Sequence, residues 1–217
     1  MGRFAIFDLD GTLLNSLQDL ADACNYSLKK NGFPVHPANS YKYFVGDGIL
    51  TLINRALPEN FTDESSVASV KADFDDFYSV HSLDKTVPYT GISETLTKLK
   101  ENNVKLAVLS NKPHEYVKFL TDTYFPGLIS FSYGQRAGVP IKPDPAAVFE
   151  IISLLGGKKS DGFYIGDTST DMQTGKNSGL YTIGVSWGFR TKDELESAGA
   201  DIIINKASEL IKIIVDK

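Results

Sequence analysis

The chain is poor in the residues that carry redox, disulfide and soft-metal chemistry: one cysteine, one tryptophan, two methionines and three histidines among 217 residues. A lone Cys24 closes no intramolecular disulfide and offers no paired-cysteine metal spacing, and it points to a reducing, cytoplasmic setting. His36, His81 and His114 show no metal-ligand spacing, and no Gly-x-Ser-x-Gly elbow occurs, which argues against zinc enzymes and serine hydrolases. No 18 apolar residues run together, so no membrane partner is expected. Positive charge is scarce as well. With 22 basic and 27 acidic residues the net charge is −5 and the pI about 5.2, the opposite of a nucleic-acid footprint.

Targeting and nucleotide-loop signatures are equally thin. The first residues enter an apolar strand without the basic region and cleavage site of a signal peptide, and Ile6 breaks the myristoylation pattern. The Lys-Asp-Glu-Leu string at 192–195 is internal, and the glycosylation patterns at Asn25 and Asn60 are chance matches in a chain that is not secreted. Thr170 and Ile152 stand where a Walker loop ending at Lys176 or Lys158 needs glycine. Gly46-Asp47-Gly48 follows no strand, so it is no dinucleotide fingerprint.

What is present is an alternation. Short apolar runs at 4–7, 105–109, 129–133, 163–165, 181–185 and 202–204 read as buried strands. Helical stretches at 92–102, 115–124, 146–155, 170–178, 192–198 and 207–215 lie between or after them, which predicts an α/β, doubly wound, Rossmann-like parallel sheet. The pattern breaks after the first strand: residues 16–85 carry helical periodicity with no strand, as in Leu17, Leu20, Ala21, Cys24 and Leu28. An all-helical insert, residues 16–87, is therefore expected to divide a core of residues 1–15 and 88–217. A helix at 65–82 carries Asp73, Asp75 and Asp76, read as a solvated face.

Chemistry-bearing residues collect at predicted strand ends. The first strand closes in Asp8-Leu9-Asp10-Gly11-Thr12, where residues two apart share a face and the two carboxylates emerge together. Such a pair repels itself unless a cation intervenes or one member holds a proton, so it suggests a Mg²⁺ site, a nucleophile with an acid/base partner, or both. Gly166-Asp167-Thr168-Ser169-Thr170-Asp171 ends a later strand with two more carboxylates and a capping hydroxyl; oxygen-only ligands suit Mg²⁺. Ser110-Asn111-Lys112-Pro113 follows the strand at 105–109 and offers a hydroxyl, an amide and a helix start for an anion. Lys142, between Pro140 and Pro143, is held out of helix and is a candidate phosphate counterion.

In order and spacing these four segments resemble the motifs of the haloacid dehalogenase superfamily, and the resemblance covers the whole chain, with the insert resembling that superfamily's helical cap. Val45-Gly46-Asp47-Gly48 with Arg55-Ala56-Leu57, Pro88-Tyr89-Thr90-Gly91 and Val185-Ser186-Trp187-Gly188 are similar to segments of phosphoglycolate phosphatases. Pyrophosphatases, broad sugar-phosphate or nucleotide phosphatases and sugar phosphomutases are similar too. Asn15 departs from the aspartate that many relatives place before Ser16.

The resemblance implies a Mg²⁺-dependent phosphomonoesterase acting on a small phosphorylated metabolite, as monomer or homodimer. It implies that Asp8 attacks phosphorus and Asp10 serves as acid and then base. Metal is implied at Asp8, the Asp10 carbonyl and Asp167, with Asp171 a further ligand or a holder of metal-bound water; phosphate is implied at Ser110, Asn111 and Lys142. The second aspartate favours phosphoryl transfer over dehalogenation, and a non-catalytic phospho-acceptor module is the alternative of a different class. Residues 16–87 hold 6 basic and 10 acidic residues, so a substrate carboxylate needs a local cation; Arg55 is the candidate there.

Overall fold

A computed structural model describes residues 2–216. Two compact units emerge, one of residues 2–14 and 88–216 and one of residues 15–87. In chain order the elements are β1 (Phe4–Phe7), β2 (Leu14–Asn15), α1 (Leu17–Lys30), α2 (Tyr41–Phe44), α3 (Ile49–Ala56), α4 (Glu64–His81) and β3 (Val87–Pro88). There follow α5 (Ile92–Glu101), β4 (Lys105–Pro113), α6 (His114–Tyr124), β5 (Phe131–Gln135), α7 (Ala146–Leu155) and β6 (Gly162–Gly166). The chain ends with α8 (Ser169–Ser178), β7 (Tyr181–Val185), α9 (Lys192–Ser197), β8 (Ile202–Ile204) and α10 (Glu209–Asp216).

The larger unit is built on a six-stranded sheet in the order β5-β4-β1-β6-β7-β8, with every neighbour parallel. Both faces of a parallel sheet are covered, so its strands read as continuous apolar runs. Along β1, Phe4 and Ile6 pack with Ala147, Val148 and Ile151 of α7, while Ala5 and Phe7 pack on the other side with Leu96, Val117 and Leu210. From β1 the chain winds outward through β4 and β5, then returns to β6 on the opposite flank of β1. This reversal opens a crevice at the carboxyl ends of β1, β4 and β6, where open α/β sheets bind ligands.

One boundary departs from expectation in a way that matters. β4 runs on through Pro113, because Pro113 still pairs with Gln135 of β5, and four steps along β4 from Leu109 match only two along β5. Ser110, Asn111 and Lys112 are thus irregular strand, not a helix start, and Ser110 caps nothing; α6 begins at His114. β5 also sits two residues later than its apolar run suggests.

The smaller unit is helical apart from the chain's entry and exit. Leu20, Ala21, Cys24 and Leu28 of α1 are buried, as are Val70, Phe74 and Tyr78 at every fourth position of α4, and the two helices pack together. Asp19 is buried too, a position the periodic stripe omits. Its carboxylate accepts from the backbone N–H groups of Lys85 and Thr86 and from the Thr86 hydroxyl at 2.7–3.0 Å. It thereby ties the end of the unit to its beginning and offsets the cost of burying a charge. Asp73 is not a free surface charge either, since it receives Lys30 and Asn31 of the facing helix at 2.6 and 2.8 Å.

Candidate active site

Asp8 follows β1 directly and stays tied to β6, its N–H donating to the Ile165 carbonyl at 2.9 Å. Two residues on, the chain reverses at Gly11, whose φ of +88° disfavours any residue with a Cβ. The turn carries Thr12 toward β6, where its hydroxyl donates to Asp167 Oδ1 at 2.9 Å. Asp167 Oδ2 receives the Phe189 N–H at 2.8 Å. Asp167 is fully buried between two bare backbones, because a Cβ on Gly11 would fall 2.3 Å from its Oδ2 and one on Gly188 would fall 2.2 Å from its Cβ.

Gly188→Ala is therefore expected to displace Asp167 and to cost about 1–3 kcal/mol of stability, the usual cost of overpacking. Urea unfolding checks this; an unchanged midpoint would mean that the 186–189 loop absorbs the methyl group.

Asp171 lies one turn into α8 and closes a capping box with Thr168. Its Oδ2 accepts from the Asp167 and Thr168 N–H groups at 3.2 and 3.1 Å and from the Thr168 hydroxyl at 2.7 Å. Its Oδ1 meets Lys142 Nζ at 2.8 Å, and the same ammonium stands 2.8 Å from Asp8 Oδ1. Lys142 thus bridges two of the expected aspartates from a segment that forms no regular element.

Asn111 has a different neighbour from the anion expected of it. Its side-chain oxygen accepts the Lys142 N–H at 2.9 Å and its NH₂ donates to the Lys142 carbonyl at 3.2 Å, so the amide brackets the lysine backbone. Ser110 is nearly buried beside it, its hydroxyl accepting from the Lys112 N–H at 3.3 Å. Lys112, a residue to which sequence reasoning gave no role, sends its ammonium to both Asp10 oxygens at 3.2 Å.

The carboxylates fall into two sets. Asp8, Asp167 and Asp171 each place an oxygen within 4.8 Å of the others, whereas Asp10 stands outside that group with Lys112. Of these three buried carboxylates, two meet the Lys142 ammonium. Burial, and then the charge of Asp171, push the Asp8 carboxyl up to about 7 although Lys142 opposes them. Burial, followed by Asp171 and Asp8, drives Asp167 well above the usual carboxylate range. Burial alone would lower the Lys142 ammonium, but Asp171 and Asp8 outweigh it and hold the lysine charged.

Asp8 Oδ1 is buried and, although it faces Lys142 at 2.8 Å, the alignment is not that of a hydrogen bond, so it accepts none. Three clustered carboxylates with one ammonium among them leave an excess of buried negative charge, which is costly and which a metal ion relieves. The cluster can hold a hard cation through oxygen ligands.

Arg55 is committed within its own unit. Its guanidinium meets Asp47 Oδ2 at 2.7 Å and the carbonyls of Tyr43 and Phe44 at 3.3 and 3.2 Å, fastening the 43–47 segment to α3. The guanidinium is thus paired inside its own unit, where it holds the turn before α3. The histidines are structural too: His36 meets the Ala56 carbonyl, His81 meets Asp84, and His114 accepts the Gly134 N–H.

Known proteins resemble this chain over nearly its whole length. A phosphoglycolate phosphatase of Pseudomonas syringae pv. syringae is 31% identical over 214 residues, spanning 96% of this chain and 78% of its own. Another, from Psychrobacter arcticus, is 32% identical over 96% of this chain and 94% of its own. A crystal structure from Lactobacillus delbrueckii subsp. bulgaricus, provisionally assigned as a phosphoglycolate phosphatase, superposes with a TM-score of 0.94 at 33% identity, covering 99% of both chains. The model of the haloacid dehalogenase-like hydrolases matches residues 5–185, a stretch holding every carboxylate and lysine described above, and the chain belongs to that family.

Proposed function

We propose that the chain is a Mg²⁺-dependent phosphomonoester hydrolase working through an aspartyl-phosphate on Asp8, with phosphoglycolate as its foremost substrate. The observation that carries this is the division of the aspartates: Asp8 sits in a metal-compatible cluster with an unbonded oxygen, while Asp10 is held apart by its own lysine. The relatives' names supply the substrate.

Asp8 and Asp167 would hold Mg²⁺ with the Asp10 carbonyl, and Asp171 would fix Asp167 and Lys142 around it. The bound ion supplies positive charge that lets an anionic nucleophile meet an anionic phosphate. Asp8 attacks phosphorus as the bond to the leaving oxygen breaks, and the Asp10 carboxyl gives that oxygen a proton. Asp10, now a carboxylate, takes a proton from water as the water oxygen attacks phosphorus and the bond to Asp8 breaks. Lys142 and Ser110 bear on the phosphoryl oxygens, where charge concentrates. Asn111 acts on them through Lys142. Residues 16–87 serve as the cap of this core.

A screen of phosphoglycolate, pyrophosphate, sugar phosphates and nucleotides with and without Mg²⁺ tests the reading. Mg²⁺-dependent phosphate release with the highest kcat/KM on phosphoglycolate is the expected result. Return of the phosphoryl group to a sugar as an isomer would make it a mutase, and a slowly decaying aspartyl-phosphate without turnover would make it an acceptor module.

A further inference from the structure

Lys112 is a second buried cation at the site, and it pairs with Asp10. Lys142 already serves Asp8 and Asp171, and Lys112 lies on the other carboxylate, Asp10. Burying an ammonium is costly, so its position has to be built. It is built by the irregular end of β4, where the surplus of residues between Leu109 and Pro113 re-aims the side chains. Gly134 of β5 admits that bend, since a Cβ there would fall 2.4 Å from the Lys112 carbonyl oxygen.

We propose that Lys112 recognises an anionic group on the leaving alcohol of the substrate, one carbon away from the ester oxygen. The inference rests on the phosphatase reading above, in which Asp10 faces the leaving oxygen. A proton donor must come within about 2.6–3.2 Å of that oxygen. Lys112 Nζ is 3.2 Å from both Asp10 oxygens, which leaves it about two hydrogen-bond lengths from the ester oxygen at most. A carboxylate joined through a single methylene spans that gap, whereas an anion on a longer arm passes it.

One ammonium serving two carboxylates is already realised in this site by Lys142. Lys112 would do the same between Asp10 and the substrate. The class selected is the phosphate ester of a short α-hydroxy acid, and the selecting charge lies in the core, not on Arg55.

The test compares 2-phosphoglycolate, ethyl phosphate and phosphoethanolamine, whose leaving groups are anionic, neutral and cationic. Wild-type protein with Mg²⁺ is expected to favour 2-phosphoglycolate over ethyl phosphate in kcat/KM by roughly 10–100-fold, the value of a charge-assisted contact, and to disfavour phosphoethanolamine. Lys112→Met should abolish this preference and Lys112→Arg should retain most of it. If Lys112 only holds Asp10 in place, Lys112→Met lowers all three esters by one factor and leaves their ratio intact, which overturns the inference. Equal kcat/KM for the three esters in wild-type protein overturns it without any variant. Failure of wild-type protein to hydrolyse any of a wider set of monoesters would instead reject the phosphatase reading, and the inference with it.

Discussion

Asp8→Asn is expected to lower Mg²⁺-dependent phosphate release from phosphoglycolate by about 10⁴-fold or more, the scale seen when a covalent nucleophile is removed. Asparagine matches aspartate in size, so the fold around β1 should persist, and circular dichroism would establish that it does. The loss follows from the position of Asp8: its Oδ1 is the buried oxygen that accepts no hydrogen bond, beside the lysine that would steady an incoming phosphate. Neutralising a carboxylate elsewhere on the surface would leave turnover within a small factor. Full activity in Asp8→Asn would remove the aspartyl-phosphate scheme, and trapping of phosphate on another residue would relocate it.

The second large effect is a pH-dependent gain of stability with Mg²⁺. In the metal-free fold Asp8 titrates at about 7, against 3.8 for the ordinary side chain, because burial and the neighbouring Asp171 disfavour its charge. Asp167 is displaced in the same direction. Between about pH 4 and pH 7 the folded protein therefore keeps protons that the unfolded chain has lost, and stability falls as pH rises through that window. Lys142 slopes the same way only above its ordinary value of 10.5, because there too the folded protein keeps a proton that the unfolded chain loses.

A metal ion replaces those protons, so its stabilising effect should be small at pH 5 and large at pH 8. At a hundredfold excess over Kd it amounts to about 2.7 kcal/mol. For a chain of this size that corresponds to roughly 5–10 °C in Tm. Thermal melts with Mg²⁺ or a chelator across this range check it, and a Tm gain that does not grow with pH would exclude the Asp8–Asp167–Asp171 cluster as the metal site.

Much of the sheet was legible because buried parallel strands are nearly unbroken apolar runs: Phe4–Phe7, Tyr181–Val185 and Ile202–Ile204 begin and end where the sequence suggests. The end of β4 was not, because its last four residues, Ser-Asn-Lys-Pro, carry no apolar signal. They are held extended by pairing with β5, and the pairing partner is 22 residues away in the chain at Gln135. The pairing of Lys112 with Asp10 was lost with that boundary. Its only sequence trace is a lysine just past an apolar strand and before a proline, a pattern that a solvent-facing lysine produces equally well.

Arg55 is the reverse case. A lone arginine on an acidic insert looks like an anion contact, yet Asp47 eight residues earlier returns beside it through the turn before α3. Asn111 is a subtler case, since a polar strand-end amide suits a ligand or a backbone with equal ease. Lys142, 31 residues further on, is what decides it.

By itself the sequence determined the elements and the identity of the reactive groups. Periodicity places apolar residues on strand and helix faces, and three polar motifs lie at the ends of strands that share one edge of a parallel sheet, with Lys142 following in a loop. Only the tertiary structure decided how the charges divide. Asp8, Asp167 and Asp171 gather together, with Lys142 on Asp8 and Asp171, while Asp10 meets Lys112, because those pairings join β1, β4, β6 and the 140–143 segment across distances in the chain that no local pattern encodes. Electrostatic energy depends on separation in space and on burial, and both come into being only when the sheet has closed around its crevice.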